Sequence, residues 1–163
     1  MYSHGIVSAF STKIENSEIN GIFERLLYLI LQEMKQRFEP IEGRNAEIIE
    51  AVVNSADVAD LSESCKFKIR LCVEEVEENI LAYSGSTWIE VWTEREGSLL
   101  TVGFRDGGIQ FDPLAEPDPD ITAPLEKRSI GGLGIFICKQ MMDSVDYHFE
   151  NKCNIFVMKL KVE

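Results

Sequence analysis

Glu75 and Asn79 stand four residues apart in the stretch from Ile69 to Tyr83. In that stretch Ile69, Cys72 or Val73, Val76, Ile80 and Tyr83 recur at helical spacing, so one face of a helix should lie on a core. Four residues is one turn, which puts the Glu75 carboxylate and the Asn79 carboxamide on a common stripe beside that face. Such a pair suits a site that must hold a metal ion together with a water or a substrate hydroxyl. The competing reading is a solvated acidic face, because Glu74, Glu75, Glu77 and Glu78 crowd a single turn and charge runs usually lie on surfaces. Glu74 is the rival base, but only Glu75 has the four-residue spacing to Asn79.

Two later stretches carry further chemistry. Asp106-Gly107-Gly108 lies in the segment from Arg105 to Pro113, and Gly131-Gly132-Leu133-Gly134 precedes the apolar Ile135 and Phe136. The first is ordinary turn chemistry when taken alone. The second, at the start of a helix, can aim backbone N–H groups at phosphates where the helix dipole also favours negative charge; a structural hinge is the plainer alternative. The ordered trio Glu-x-x-x-Asn, Asp-x-Gly, Gly-x-Gly resembles the N, G1 and G2 boxes of the histidine-kinase-like ATPases, the Bergerat fold. It is most similar to the anti-sigma factor serine/threonine kinase branch, in which Asp-x-Gly-x-x-Phe-Asp-Pro leads into a lid and a Gly-Leu-Gly helix start. The resemblance covers roughly residues 60–161 and reaches the N-terminal third poorly.

That resemblance implies ATP lying between the N-box helix, the lid and the sheet. Asn79 would hold Mg²⁺, which takes oxygen ligands and keeps several waters, so that one amide oxygen plus phosphates suffices. Glu75 would orient or deprotonate the attacking hydroxyl or water as the catalytic group. Asp106 would accept a hydrogen bond from the adenine amino group, Gly108 would let the backbone approach the base, and Gly132, Leu133 and Gly134 would meet the nucleotide. Two departures stand out. Gln110 occupies a position where the family often has a second glycine, and Ile155-Phe156-Val157 offers no hydroxyl where relatives often carry a Thr near the adenine. Lys127 and Arg128 read equally as phosphate contacts and as solvated lid charges.

The length, 163 residues, suits one domain. With 16 basic and 28 acidic residues the net charge is -12, which argues against binding a phosphate backbone directly. No apolar run approaches the roughly 18 residues of a membrane span, and the N-terminus lacks the basic start and cleavage site of a secretory signal, so a cytoplasmic protein is expected. Cys65, Cys72, Cys138 and Cys153 lack Cys-x-x-Cys spacing and read as buried thiols rather than a zinc site.

Along the chain, residues 5–14 read as a strand, and Ile19 to Phe38 as an amphipathic helix stopped by Pro40. Residues 39–60 are an insertion relative to the family, with a short helix from Glu47 to Val53 on what should be a solvated decoration. Asp60 with Glu63 suggests a capping box for the N-box helix, which should run to Tyr83 and end at Ser84-Gly85-Ser86. Residues 88–93 and 99–104 form a hairpin that delivers Asp106. The proline-rich segment 112–130 should be an exposed lid, Gly134 to Val145 a helix with Met141 and Met142 in the core, and 147–150 with 155–162 a last hairpin. His4 and His148 lie outside every box, which disfavours a phosphoacceptor histidine.

The expected fold is therefore α+β, a two-layer α/β sandwich with helices on one face of a mixed sheet, as a single ATP-binding domain over residues 1–163. The resemblance implies an ATP- and Mg²⁺-dependent protein kinase that phosphorylates a serine on a small antagonist protein and sequesters a sigma factor or another partner. The rival is a nucleotide-dependent protein-binding module without kinase activity. The apolar first helix would suit a homodimer.

Overall fold

A computed structural model describes residues 35–39, 46–115, 117–119 and 133–163. The expected strand at 5–14, most of the helix from Ile19, and most of the lid therefore lie outside the described residues, as do Lys127, Arg128 and Gly132. The elements in order are β1 (Gln36–Phe38), α1 (Ala46–Val53), α2 (Glu63–Asn79), a π-helical turn (Ile80–Ser84), β2 (Ile89–Glu96), β3 (Leu99–Asp106), α3 (Leu133–Met141), β4 (Ser144–Glu150) and β5 (Cys153–Lys161).

The strands form one sheet in the order β1-β2-β3-β5-β4, and every described pairing is antiparallel rather than mixed. Alternation explains the two faces. Ile89, Val91, Leu100, Val102, Phe104, Phe156, Met158 and Leu160 point to one side, where they meet Ile48 and Val52 of α1, Ile69, Cys72, Val73 and Val76 of α2, and Ile135 and Cys138 of α3 in a single core. All three helices thus cover the same face, as the α+β expectation has it. Met142 is buried and Met141 packs against the same core. Cys65, Cys72, Cys138 and Cys153 are all free thiols.

Several boundaries differ from the sequence expectation. Gln36, Arg37 and Phe38 are an edge strand, not the end of a helix. Arg37 lies 4.1 Å over the Trp88 ring and 2.9 Å from Glu90, a nearly buried carboxylate that also takes Arg105 at 3.2 Å, so contacts from more than fifty residues away hold the segment extended. Ser62, not Asp60, caps α2: its hydroxyl accepts from Cys65 N at 3.3 Å, while Asp60 pairs with Arg95 at 2.8 Å. Helix α1 forms where expected but is no decoration, since Ile48, Val52 and Val53 are buried. Helix α3 stops at Met141, because Ser144 to Glu150 is taken up in register against β5.

The two hairpins turn tightly. Gly97 at φ 60° enables a two-residue turn between β2 and β3, and Asn151 and Lys152, at φ 52° and 61°, make the doubly left-handed turn between β4 and β5.

Candidate functional site

Asp106 ends β3 and is 2% exposed. A carboxylate this deep needs donors, and its Oδ1 receives three: Ser84 Oγ at 2.6 Å, Gly108 N at 2.9 Å and Asn154 Nδ2 at 3.1 Å. Ser84 arrives there because the last turn of the α2 stretch widens from α to π before Gly85, at φ 62°, ends it. The same widened turn presents Ser84 O to Ile109 N at 2.9 Å. A Cβ on Gly108 would run into the Ser84 backbone and hydroxyl, so the approach that demands glycine here is to the end of the helix.

Asn154 faces Asp106 across the β3–β5 ladder and uses every polar atom of its amide. Its Nδ2 also donates to Ile109 O at 2.8 Å; its Oδ1 accepts from Phe111 N at 3.1 Å and from the Tyr147 hydroxyl at 2.7 Å. The loop containing Gln110 is therefore pinned on both sides of that residue. Burial, with Asp112 and Asp106 nearby, raises the Tyr147 hydroxyl above its ordinary range. Asn154, Tyr147 and Ser84 escaped the sequence reading. The polar group opposite Asp106 sits one residue before Ile155, in a register that only the folded sheet reveals.

Ser84, Asp106, Phe111, Tyr147 and Asn154 line a shallow, partly open cleft with an apolar floor that includes Val76, Ile80, Phe104 and Phe156, and Asn79 on its helical wall. Tyr83 and Phe111 stack across its rim, ring centroids 4.7 Å apart and planes 12° from parallel. Among the described residues no hydrogen bond occupies Asp106 Oδ2, so a flat heterocycle with an exocyclic N–H donor matches what the cleft offers. Tyr83 and Phe111 give that end an aromatic border.

The acidic turn divides by environment. Glu74 and Glu78 are exposed, Glu75 is half-buried, and Glu77 is 1% exposed with Oε2 lacking a partner among the described residues. Burial, then Glu74 and Glu78, pushes the Glu77 carboxyl up to about 7; burial, then Glu78 and Glu74, also raises Glu75. Glu75 is not on the cleft wall. Its carboxylate lies against Gly134 in the first turn of α3, where a Cβ would collide with Oε2 and come within 3.0 Å of Cδ. The structure thus brings Asn79 and Asp106 to one cleft, Gly108 onto the Asp106 carboxylate and the Ser84 backbone, and Glu75 to Gly134. Leu133 opens α3 at 54% exposure. Pro113 lines the cleft wall, and Asp118 pairs with Lys139 of α3 at 2.7 Å, which ties that part of the proline-rich segment to the body.

Among the described residues no cluster of three His, Cys, Asp or Glu could hold a metal. Asn79 offers one amide oxygen, which fits Mg²⁺ only when other oxygens complete its shell. No described helix is long and apolar enough to cross a membrane.

The Histidine kinase-like ATPase domain family matches residues 41–160, and the chain belongs to it: this is a nucleotide-binding domain of the ATPase and kinase-like kind. Among solved structures, the chain is similar to the catalytic domain of histidine kinase ThkA in two nucleotide-free forms. They have TM-scores of 0.47 and 0.48 and 12% and 13% identity, covering 78% of this chain and 95% and 96% of theirs. It is also similar to the Acinetobacter baumannii histidine kinase AdeS, at TM-score 0.45 and 12% identity over 93% of this chain and 87% of that one. No curated protein sequence matches.

Proposed function

We propose that the domain binds ATP with Mg²⁺ and transfers the γ-phosphoryl group to a serine or threonine hydroxyl of a small partner protein, in the manner of an anti-sigma factor kinase. The observation that carries the nucleotide assignment is Asp106, a nearly buried carboxylate with Oδ1 saturated by three protein donors and Oδ2 left for a ligand N–H. Asn79, on the cleft wall one turn beyond Glu75, would supply the protein oxygen to Mg²⁺. The ion, when bound, neutralises phosphate oxygens. Gly134 and Leu133, with Gly132 before them, would bring the start of α3 to the phosphates. Glu75 would accept the proton of the incoming hydroxyl, and burial with Glu78 and Glu74 nearby raises its affinity for a proton, the direction that a base needs. The resemblance in sequence extends this to an antagonist protein as phosphoacceptor and a sigma factor as a second partner; the sequence without a long apolar run suits a cytoplasmic setting, and its apolar first helix suits a homodimer.

A second reading, a nucleotide-dependent binding module without transfer activity, is favoured by the position of Glu75 on Gly134 rather than on the cleft wall. Calorimetry with Mg-ATP, followed by phosphotransfer from γ-labelled ATP to co-purifying proteins, separates the two. Asn79→Ala should abolish Mg-ATP binding; undiminished binding removes Asn79 from the metal role. Glu75→Gln should keep binding and lower transfer about 10²- to 10⁴-fold. Binding without transfer in the unaltered protein selects the module.

A further inference from the structure

Asn154 fixes the direction of the hydrogen bonds around Asp106. Ile109 O can only accept and Phe111 N can only donate, so the amide atoms that meet them, at 2.8 Å and 3.1 Å, are Nδ2 and Oδ1 respectively. Oδ1 can only accept, which makes the Tyr147 hydroxyl, 2.7 Å away, the donor. Burial raises that hydroxyl above its ordinary range, so its proton stays in place at neutral pH. Nδ2 gives its other hydrogen to Asp106 Oδ1. Ser84 Oγ gives its own to the same atom and accepts from Ser86 N at 3.2 Å.

The side-chain donors of Asn154, Tyr147 and Ser84 are therefore all committed within the protein, and what remains for a ligand is acceptors. Among the described residues Asp106 Oδ2 has no partner. The Tyr147 oxygen carries two lone pairs, of which the nearby Phe111 N–H can take only one. An exocyclic amine brings two N–H groups into this cleft, whose floor is apolar. One of them meets Asp106 Oδ2. The other, stripped of water and given no acceptor, would carry the full cost of a buried unpaired donor. Tyr147 lines the same cleft and is half-buried, so its oxygen is the acceptor left to meet that second N–H.

We propose that Tyr147 is a specificity-determining residue for the base: its oxygen accepts the second hydrogen of an exocyclic amine whose first hydrogen goes to Asp106 Oδ2, so the cleft selects a base with an unsubstituted amino group. The inference rests on the nucleotide reading above. Ile155, Phe156 and Val157 of β5 bring no hydroxyl to the base, and the neighbouring strand β4 brings one in Tyr147, held by Asn154 so that it accepts from the ligand and does not donate.

The test is calorimetry on the unaltered protein and Tyr147→Phe with three ligands as their Mg²⁺ complexes: ATP, N⁶-methyl-ATP, which keeps one N–H, and purine riboside triphosphate, which has none. The unaltered protein should bind N⁶-methyl-ATP at least about fivefold more weakly than ATP, the worth of one neutral hydrogen bond. Tyr147→Phe should lose about the same factor for ATP and keep the unaltered affinities for the other two, since neither offers a second N–H. Equal weakening of all three ligands by Tyr147→Phe overturns the proposal, because the hydroxyl would then only brace the cleft. Weakening of ATP and N⁶-methyl-ATP alike, with purine riboside triphosphate unchanged, also overturns it, since the hydroxyl would then act through Asp106. Undiminished ATP binding by Tyr147→Phe does the same. N⁶-methyl-ATP bound by the unaltered protein as tightly as ATP overturns it without recourse to a variant. Failure of the unaltered protein to bind any of the three overturns the nucleotide reading and this assignment with it.

Discussion

The Asp106 end of the cleft and the Glu75–Gly134 contact beside the cleft are built on different physics. At the Asp106 end, Ser84, Gly108, Asn154, Tyr147 and the backbone of Ile109 and Phe111 close a hydrogen-bonded ring. It joins the end of the helical stretch, the ends of β3 and β5, and the middle of β4. Nearly every polar atom there is committed before a ligand arrives. At the Gly134 end, the described structure offers a carboxylate with no ion-pair partner, an amide on one wall and a helix start. The first is preorganised and the second is a balance of charges, so on the ATP placement proposed above binding of the base should be insensitive to conditions that alter binding of the phosphates.

The sharpest way to break this contrast is at Asp106. Asp106→Ala strips three donors of their common acceptor, and the orphaned groups should cost about 2–3 kcal/mol of stability. Affinity for adenosine and ATP should fall together by about 100-fold or more, read by calorimetry beside a urea titration. Unequal losses for the two ligands would mean that the ends are not separable.

Glu77, two residues beyond Glu75 on α2, sharpens the comparison. Its folded-state value of about 7 lies above the ordinary 4.5, so the folded protein binds the proton more tightly than the unfolded chain. The stability that this supplies is complete below the ordinary value and is lost as pH rises through about 7. Glu77→Gln should therefore exceed the unaltered protein in melting temperature at about pH 8 and show a flatter profile between about pH 5 and 8. A parallel profile would mean that Glu77 is ionised in a way that burial does not penalise.

The smallest expected effect is at Tyr147. Tyr147→Phe removes one of the two donors to Asn154 Oδ1 and leaves Phe111 N in place. A loss of about 0.5–1.5 kcal/mol is expected, with adenosine affinity reduced less than tenfold. A larger loss would show that the ring at the Asp106 end acts cooperatively.

What was legible in the sequence follows the same division. Glu75 and Asn79 could be paired on paper because a helix makes neighbours of residues one turn apart, and Asp106 could be placed because a hairpin is local. Asn154 could not, since its partnership with Asp106 depends on the register of β3 against β5 across 48 residues. The apolar period up to Met34 meets no stop before Pro40, which draws Gln36 to Phe38 into the expected helix, yet Glu90 and Trp88, more than fifty residues on, claim Arg37. The period that suggested a helix up to Val145 was likewise overruled by the pairing of Ser144 with Lys159. Ser62 displaced Asp60 as cap through a choice between two hydrogen-bonding residues two positions apart that spacing alone leaves undecided.

Trp88 lies behind all of this. Its indole rests against Gly107, whose Cβ would come within 2.7 Å of the ring, and the Arg37 guanidinium covers it at 4.1 Å. The only other tryptophan, Trp92, lies across Gly103 toward the middle of the sheet. The molecule thus carries one fluorophore touching the residue next to Asp106 and a second set back from it. Emission from Trp88, recorded against Trp92→Phe to isolate it, would report movement of the Asp106 loop from the reverse side of the sheet, without a label and without obstructing the cleft.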